Sequence, residues 1–177
     1  MRDRIETDRL VLRPLEISDA PAFHHHCRDG SVARYTARIP DPYPLLAAEL
    51  YILSVRASVG RKASHIYAIT DRSSDALLGA SGVFKRHPAA NDWEIGYWIG
   101  PDARGCGFAT EAAKGLISAA SADLAPERIT AGHFEDNPAS GRVLEKLGFV
   151  YTGKSTRLFC MGRLAYATSL DMALAVR

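Results

Sequence analysis

The residues from 104 to 111 combine a cation, two glycines and the start of a helix. The run Arg104-Gly-Cys-Gly-Phe-Ala-Thr-Glu111 directly follows a strand-like segment that ends at Ile99. Gly105 and Gly107 allow a ligand to approach the backbone closely because they have no Cβ. The first amides of a helix have no intrahelical partner and lie at the positive end of its dipole. The pattern therefore predicts an anion site suited to phosphate, with Arg104 at its rim.

The spacing of this run is not specific to one phosphate ligand. It lacks the Gly-Lys-Ser/Thr of a Walker loop, and Thr110 occupies the third glycine position of a GxGxxG fingerprint. Two alternatives stay open on these residues alone. The run could be a glycine-rich turn that binds nothing, or it could bind a nucleotide such as ATP or NAD.

The surrounding sequence predicts the elements that must position this run. Phe108 to Ala122 carries apolar residues at helical spacing, whereas Trp93 to Ile99 is typical of a strand. We predict the order β-α-α-β-β-β-α-β-α-β-β, with the second helix over Leu45 to Val59. The predicted fold class is α/β, a single domain over residues 1–177 with a mixed, mostly antiparallel central sheet flanked by helices.

A second motif, Asn137-Pro-Ala-Ser-Gly-Arg-Val-Leu-Glu-Lys-Leu-Gly-Phe149, follows one predicted strand later. Its Asn-Pro start is typical of a helix N-terminus and its late glycine of a helix C-terminus. Arg104 to Ala109 matches the Q/R-x-x-G-x-G/A signature of the GNAT superfamily of N-acyltransferases, and the second motif resembles the next motif of that family. With Glu6 to Leu15, the chain is similar to the branch that holds the ribosomal-protein N-terminal (alanine) acetyltransferases.

The resemblance implies that acetyl-CoA is the acyl donor. By analogy, the loop amides bind the CoA pyrophosphate, and the end of the preceding strand pairs with the pantetheine arm. It also implies that the strands beginning near Glu94 and Ile129 splay apart around the thioester. Asn137 would contact the CoA arm or would only cap its helix. The cofactor-binding residues implied are Trp98, Ile99, Arg104, Gly105, Cys106, Gly107, Phe108, Ala109, Thr110 and Asn137.

Acetyl transfer to an amine requires a neutral amine, and a general base helps because such amines are mostly protonated at neutral pH. Glu94 is the candidate base, since strand alternation places Glu94, Gly96 and Trp98 on one face. The rival base is His133, on the strand before the second motif. The structural alternatives are a solvated strand glutamate and a buried histidine with satisfied hydrogen bonds.

The thiolate that leaves needs a hydrogen-bond donor. Many family members carry a tyrosine seven residues after the asparagine of the second motif, but this chain has Leu144 there. We predict that Ser140 donates to the thiolate in a direct transfer without a covalent enzyme intermediate, although a serine here can also serve the helix end. A backbone N–H between Tyr97 and Ile99 is the candidate for binding the oxyanion. The missing tyrosine supports one alternative, a non-catalytic acyl-CoA-binding or regulatory module.

Three consecutive histidines, His24 to His26, lie in the predicted first helix. Adjacent helical residues point in different directions, and no Cys/His set follows at metal-ligand spacing. We therefore interpret them as a polar helix face and predict no metal site. Tyr35, Arg38 and Tyr43, which lie nearby, are candidate contacts of the acceptor.

The overall charge excludes some partners. The 177 residues carry 22 Lys and Arg against 20 Asp and Glu, without a basic pole for nucleic acid. No apolar run approaches the ~20 residues of a membrane span. Three cysteines without a CxxC pair indicate a reducing compartment, so we expect a cytoplasmic protein. The expected partner is a small-molecule or peptide amine, and a homodimer is plausible for the family.

Overall fold

The computed structural model describes residues 1–58, 63–87 and 90–175. Its strands are β1 (Ile5–Glu6), β2 (Leu10–Arg13), β3 (Ser64–Asp71), β4 (Leu77–Lys85), β5 (Asp92–Ile99), β6 (Arg128–Phe134), β7 (Val150–Cys160) and β8 (Ala165–Ala175). Its α-helices are α1 (Ala20–Cys27), α2 (Leu45–Ala57), α3 (Phe108–Leu124) and α4 (Pro138–Lys146). Short 3-10 turns cover Ile17–Asp19, Ala33–Tyr35 and Pro101–Ala103.

The described strands form one eight-stranded sheet in the order β1-β2-β3-β4-β5-β6-β8-β7. Neighbouring strands are antiparallel except β5 and β6, which α3 connects as a parallel pair. This pairing covers only Asp92–Glu94 against Arg128–Thr130. Beyond it β5 stays with β4 and β6 stays with β8, so a gap opens between β5 and β6. We call this gap the cleft.

Helices cover both faces of the sheet. On one face, α3 and α4 pack Leu116 and Leu144 against strand residues such as Ile95. On the opposite face, α1 and α2 pack Phe23 and Ile52 in a second apolar cluster. We call these the α3 face and the α1 face. The arrangement confirms the predicted α/β class and the mostly antiparallel sheet flanked by helices.

The predicted elements differ from the observed ones mainly at their ends. The opening strand is preceded by the two-residue strand β1, which the sequence did not indicate. The second helix ends at Ala57, and Val59, where we predicted its end, lies outside the described residues. None of the described helices combines the length and apolar character needed to cross a bilayer.

Candidate active site

The loop before α3 has the backbone conformation that its glycines predict. Gly105 and Gly107 have φ of 79° and 81°, in the left-handed region that L-residues rarely adopt. A Cβ at Gly105 would meet nothing within 4 Å, and at Gly107 it would lie 3.6 Å from Arg9 Nη2. The glycines are therefore needed for the backbone conformation and not because a side chain would lack space. We call residues 104–110 the anion loop.

The N-terminus of α3 is open to an anion. Among the described residues no side chain caps it, and its first backbone hydrogen bond runs from Glu111 N to Gly107 O at 3.1 Å. The amides that precede Glu111 in this turn have no intrahelical acceptor. Arg104 is exposed at the rim, where it donates to Ser31 Oγ at 3.0 Å and to Ile99 O at 3.3 Å. These are the donors that a phosphate site needs, and phosphate binding here stays a prediction.

An ion pair from the opening strand region supports the anion loop. Glu111 accepts hydrogen bonds from Thr7 Oγ1 at 2.6 Å and from Arg9 Nε at 2.7 Å. Arg9 also donates to Cys106 O at 3.1 Å, and its guanidinium lies 4.5 Å from the Phe108 ring centroid. Burial opposes ionisation of Glu111, but the hydrogen bonds from Thr7 and Arg9 together hold its pKa below the ordinary value.

The ion pair between Arg9 and Glu111 could not be predicted from the sequence, although both residues lie in segments that the sequence motifs include. Arg9 lies in the opening segment that resembles the family, and Glu111 lies one turn inside α3. Nothing in their spacing of about a hundred residues indicates that they meet. Only the packing of β1 and β2 beside α3 brings them together.

Glu94 lies at the closed end of the cleft. It is the last residue of β5 that pairs with β6, opposite Thr130. Trp93 and Ile95 belong to the core of the α3 face, so Glu94 projects toward the α1 face, as predicted. Its carboxylate is 39% exposed and lies 3.1 Å from Arg86 Nη1. Trp98, four residues after Glu94 and on the same face, packs edge-on against Phe23, with 4.8 Å between the ring centroids.

Ser140 lies in the first turn of α4, at the side of the cleft opposite β5. Its amide donates to Asn137 Oδ1 at 3.3 Å, so Asn137 caps the helix. Contact of Asn137 with a CoA arm stays a prediction. The Tyr97 hydroxyl reaches from β5 to Ser140, at 3.1 Å from Oγ and 3.2 Å from the carbonyl oxygen. The two side chains therefore bridge the cleft.

Tyr97 is the functional candidate that the sequence analysis did not single out. Burial raises its pKa to about 12, against a smaller opposite effect of the hydrogen bond with Ser140. Its hydroxyl therefore stays protonated at neutral pH. Leu144, where the family often has tyrosine, is fully buried in the core of the α3 face. A tyrosine hydroxyl thus reaches the cleft from β5 instead of from α4.

The rival base, His133, lies on the face of the sheet opposite to Glu94. His133 is 6% exposed and lies under α4 on the α3 face. Its Nε2 lies 3.0 Å from Tyr151 Oη, and its Nδ1 lies 2.9 Å from Phe134 O. This is the environment of a buried histidine with satisfied hydrogen bonds.

A polar cavity of about 470 Å³ lies between the residues that follow α1 and the β7–β8 turn. Arg34 and Arg163 line it and hold Asp136 between them, at 3.1 and 2.8 Å. The other lining residues are Asp29, Gly30, Ser31, Asp41 and Gly162.

Of the three candidate acceptor contacts, Tyr35 and Arg38 are exposed. Tyr43 is 5% exposed and packs against the Phe23 ring, so it is a core residue.

Comparison with known proteins shows the family. The family described as "Acetyltransferase (GNAT) domain" matches residues 9–150. The chain belongs to this GNAT acetyltransferase family. YoaA of Bacillus subtilis, described as an uncharacterized N-acetyltransferase, is 30% identical over 166 residues, which are 94% of this chain and 93% of YoaA. This GNAT chain is therefore an acetyltransferase.

Solved structures have the same fold at low sequence identity. Mycobacterium smegmatis RimJ, solved with CoA-disulfide, has a TM-score of 0.82 at 21% identity, over 94% of this chain and 82% of RimJ. RimL, a ribosomal L7/L12 alpha-N-protein acetyltransferase solved with coenzyme A, has a TM-score of 0.83 at 17% identity, over 98% of both chains. This GNAT acetyltransferase therefore has the same fold as RimJ and RimL.

Proposed function

We propose that this GNAT acetyltransferase transfers the acetyl group of acetyl-CoA to a primary amine by direct attack of the amine on the thioester. The observation that carries the proposal is the cleft. It has an anion loop at its open end and a pair of hydroxyl groups across its interior, Tyr97 and Ser140. The solved complexes of RimJ and RimL with forms of CoA support the same donor here.

In this proposal CoA enters at the anion loop and extends along β5 toward Glu94. The amides of Cys106 to Thr110 bind the pyrophosphate, with Arg104 beside it and the two loop glycines giving access. The pantetheine arm pairs with the backbone of Trp98 and Ile99, on the side where β5 lacks a described partner strand. Asn137 approaches the arm from the opposite side of the cleft. The thioester then lies between β5 and the first turn of α4.

Glu94 is the proposed general base. The amine approaches from the α1 face and loses its proton to the Glu94 carboxylate, directly or through one water. The ion pair with Arg86 is half-exposed, and such pairs contribute little to stability. Glu94 can therefore exchange this partner for a substrate amine at low cost. The nitrogen then attacks the thioester carbonyl. The oxyanion that forms accepts a hydrogen bond from a backbone N–H between Tyr97 and Ile99.

Ser140 is the proposed donor to the leaving thiolate. A C–N bond forms and the C–S bond breaks while Ser140 Oγ donates a hydrogen bond to the sulfur. The nitrogen loses its second proton on becoming an amide, and this proton is the net source of the proton on the CoA thiol that leaves. Tyr97 lies 3.1 Å behind Ser140 Oγ and is protonated at neutral pH, so it can donate to this oxygen and orient the serine hydroxyl toward the sulfur. The leucine at position 144 was the reason to consider a non-catalytic acyl-CoA-binding module. The Tyr97 hydroxyl offers the donor that Leu144 cannot.

The acceptor belongs to the class of peptide or small-molecule primary amines. The polar cavity beside Asp136 is open to solvent and supports an acceptor that is delivered from outside the α1 face. RimL, as a ribosomal L7/L12 alpha-N-protein acetyltransferase, adds support for a protein N-terminus as one member of this class. An acidic and basic lining in one cavity favours an acceptor that carries both an amine and a carbonyl or carboxylate group.

We further propose one domain over residues 1–177, a cytoplasmic enzyme and a homodimer. The single sheet that runs through the described chain supports the first. The three cysteines are free thiols, which supports a reducing compartment. The edge strand β7 is exposed along most of its length and carries Leu158 and Phe159 at 37% and 45% exposure, which supports a second copy as partner.

Release of CoA thiol tests the proposed function. The protein is given acetyl-CoA with a panel of N-terminal peptides, amino acids and polyamines, and free thiol is followed against a blank without acceptor. We expect amine-dependent thiol release and an acetylated product of matching mass. Saturable acetyl-CoA binding without release for any amine would favour the non-catalytic module instead.

A further inference from the structure

The three consecutive histidines of α1 have three different environments. His24 Nδ1 lies 2.7 Å from Tyr43 O, and His26 Nε2 lies 2.8 Å from Leu77 O. His25 points to Asp102, with 3.6 Å between Nε2 and Oδ2. The side chains diverge as expected for adjacent helical residues, but His25 and His26 each have a ligand atom within 4.8 Å of the Asp102 carboxylate in the turn after β5.

His26 is a buried imidazole with one nitrogen unused. The residue is 8% exposed, and its Nε2 faces a carbonyl oxygen, so Nε2 carries the proton and Nδ1 carries a lone pair. Nδ1 is buried and has no hydrogen-bond partner among the described residues. Buried polar atoms are nearly always paired, so an orphan of this kind needs a partner such as a water molecule or an ion.

Gly100 lies close to the imidazole ring of His26. A Cβ at Gly100 would lie 2.3, 2.6 and 2.8 Å from Nδ1, Cγ and Cε1 of the imidazole. These similar distances place Gly100 over the face of the ring and not in its plane. The lone pair lies in the ring plane, so it points past Gly100.

We propose that His25, His26 and Asp102 form a binding site for a divalent transition-metal ion of the Zn²⁺ type. One ligand atom of each residue lies within 4.8 Å of the other two. Zinc bonds of about 2.1 Å place tetrahedral ligands roughly 3.4 Å apart. The pair of His25 and Asp102 already has this spacing, and both side chains are more than half exposed, so they can close on His26. Two imidazoles with one carboxylate suit zinc better than magnesium or calcium.

The site would connect two elements that the proposed function uses. Asp102 lies in the turn Pro101–Ala103, which directly precedes Arg104 of the anion loop. A bound ion would fix this turn to α1. The proposal does not depend on acetyl transfer, because it concerns the ion and the folded chain alone.

Metal titration of the tag-free protein tests this site. After dialysis against a chelator, Zn²⁺ binding is measured by calorimetry, and thermal unfolding is followed with and without Zn²⁺. We expect one Zn²⁺ per chain and a raised unfolding temperature. Asp102→Asn and His25→Ala change exposed residues, so both should fold and bind Zn²⁺ at least tenfold more weakly.

His24→Gln is the matched control, because it removes a neighbouring histidine and keeps a donor for Tyr43 O. It should bind Zn²⁺ like the unchanged protein. A Co²⁺ complex with the absorption of a four-coordinate site in the unchanged protein, and without it in Asp102→Asn, would support the ligand set. Equal Zn²⁺ affinity in the unchanged protein, His25→Ala and Asp102→Asn, or no binding at all, would overturn the proposal.

Discussion

At the scale of single residues, the site depends on which side of the sheet each side chain takes. Glu94 projects to the α1 face and Tyr97 to the α3 face, because neighbours at odd separation in a strand point opposite ways. The acetyl carbon in the cleft would lie between a base on one side and a donor on the other. The proposed division of labour follows from this alternation.

Ser140→Ala should lower kcat by roughly 10²-fold, the usual contribution of a positioned acid or base, with little change in the KM for acetyl-CoA. Tyr97→Phe should lower kcat less, because Ser140 remains. The double variant should be little worse than Ser140→Ala, since the two hydroxyls act as one unit. Steady-state kinetics with the amine found in the thiol assay measures these effects.

The matched control for Tyr97 is Tyr151→Phe. The Tyr151 hydroxyl also forms a hydrogen bond with a side chain, that of His133, but Tyr151 lies on β7, away from β5. We expect kcat near that of the unchanged protein. Additive losses in Ser140→Ala and Tyr97→Phe, or an equal loss in Tyr151→Phe, would contradict the role given to the pair.

Glu94→Gln should lower kcat by roughly 10²-fold or more at neutral pH, because the amide cannot accept the amine proton. The loss should shrink at high pH, where more of the amine is already neutral. The pH–rate profile measures both. Glu145→Gln, an exposed carboxylate on α4, is the control. A full loss in His133→Ala with normal turnover in Glu94→Gln would transfer the base role to His133.

At the scale of elements, the fold fixes the backbone of the anion loop and of the α3 N-terminus without a ligand. The loop glycines supply left-handed φ values, and Arg9 with Glu111 holds the first turn from outside. Such fixed amides bind an anion with little loss of conformational freedom. Two predictions separate the backbone contribution from that of the ion pair.

Gly107→Ala should cost about 1–2 kcal/mol of folding stability, since alanine disfavours φ of 81°. It should also weaken CoA binding, because the strain falls on the anion loop, whose amides must keep their positions to bind the pyrophosphate. Gly153→Ala is the matched control, with φ of 75° and nothing within 4 Å of its Cβ. Denaturant unfolding and calorimetry with CoA should show equal stability losses but weaker CoA binding only in Gly107→Ala.

Glu111→Gln should change how stability depends on pH. The pKa of Glu111 is lower in the folded chain than its ordinary 4.5, so its stabilisation is present above that value. The stabilisation is lost as pH falls through the folded-state pKa. The unfolding temperature of the unchanged protein should therefore fall more steeply below about pH 5 than that of Glu111→Gln. Identical slopes for the two proteins would contradict this ion-pair role.

Local sequence patterns predict much of the structure at this scale. The conformation of the anion loop, the asparagine cap of α4 and the alternation of β5 each depend on neighbouring residues, and the structure has all three. The contacts of Tyr97 with Ser140 and of Arg9 with Glu111 join distant segments, so no periodicity could reveal them. The interpretation of His26 as part of a polar helix face is wrong, because the residue is buried. Its burial against Gly100 depends on how α1 packs on the sheet, which the local sequence does not show.

At the scale of the whole molecule, the sheet brings donor and acceptor to the cleft from different sides. The parallel pairing of β5 and β6 ends after three residues, and the continuing strands are held by β4 and β8. The apolar core of the α3 face packs against strands on both sides of the cleft, whereas the core of the α1 face packs against β3, β4 and Trp98 of β5. The cleft is thus a feature of the topology and needs no movement of the chain to form.

The central claim is that this cleft binds acetyl-CoA, and comparative thermal unfolding tests it most directly. The protein is heated with equal concentrations of acetyl-CoA, CoA, ATP or NAD. A ligand at 100 times its Kd stabilises the fold by about 2.7 kcal/mol, which gives a clear shift. The account predicts a large shift with acetyl-CoA and CoA that Gly107→Ala reduces and Gly153→Ala retains. A shift with ATP or NAD but none with either form of CoA would contradict it.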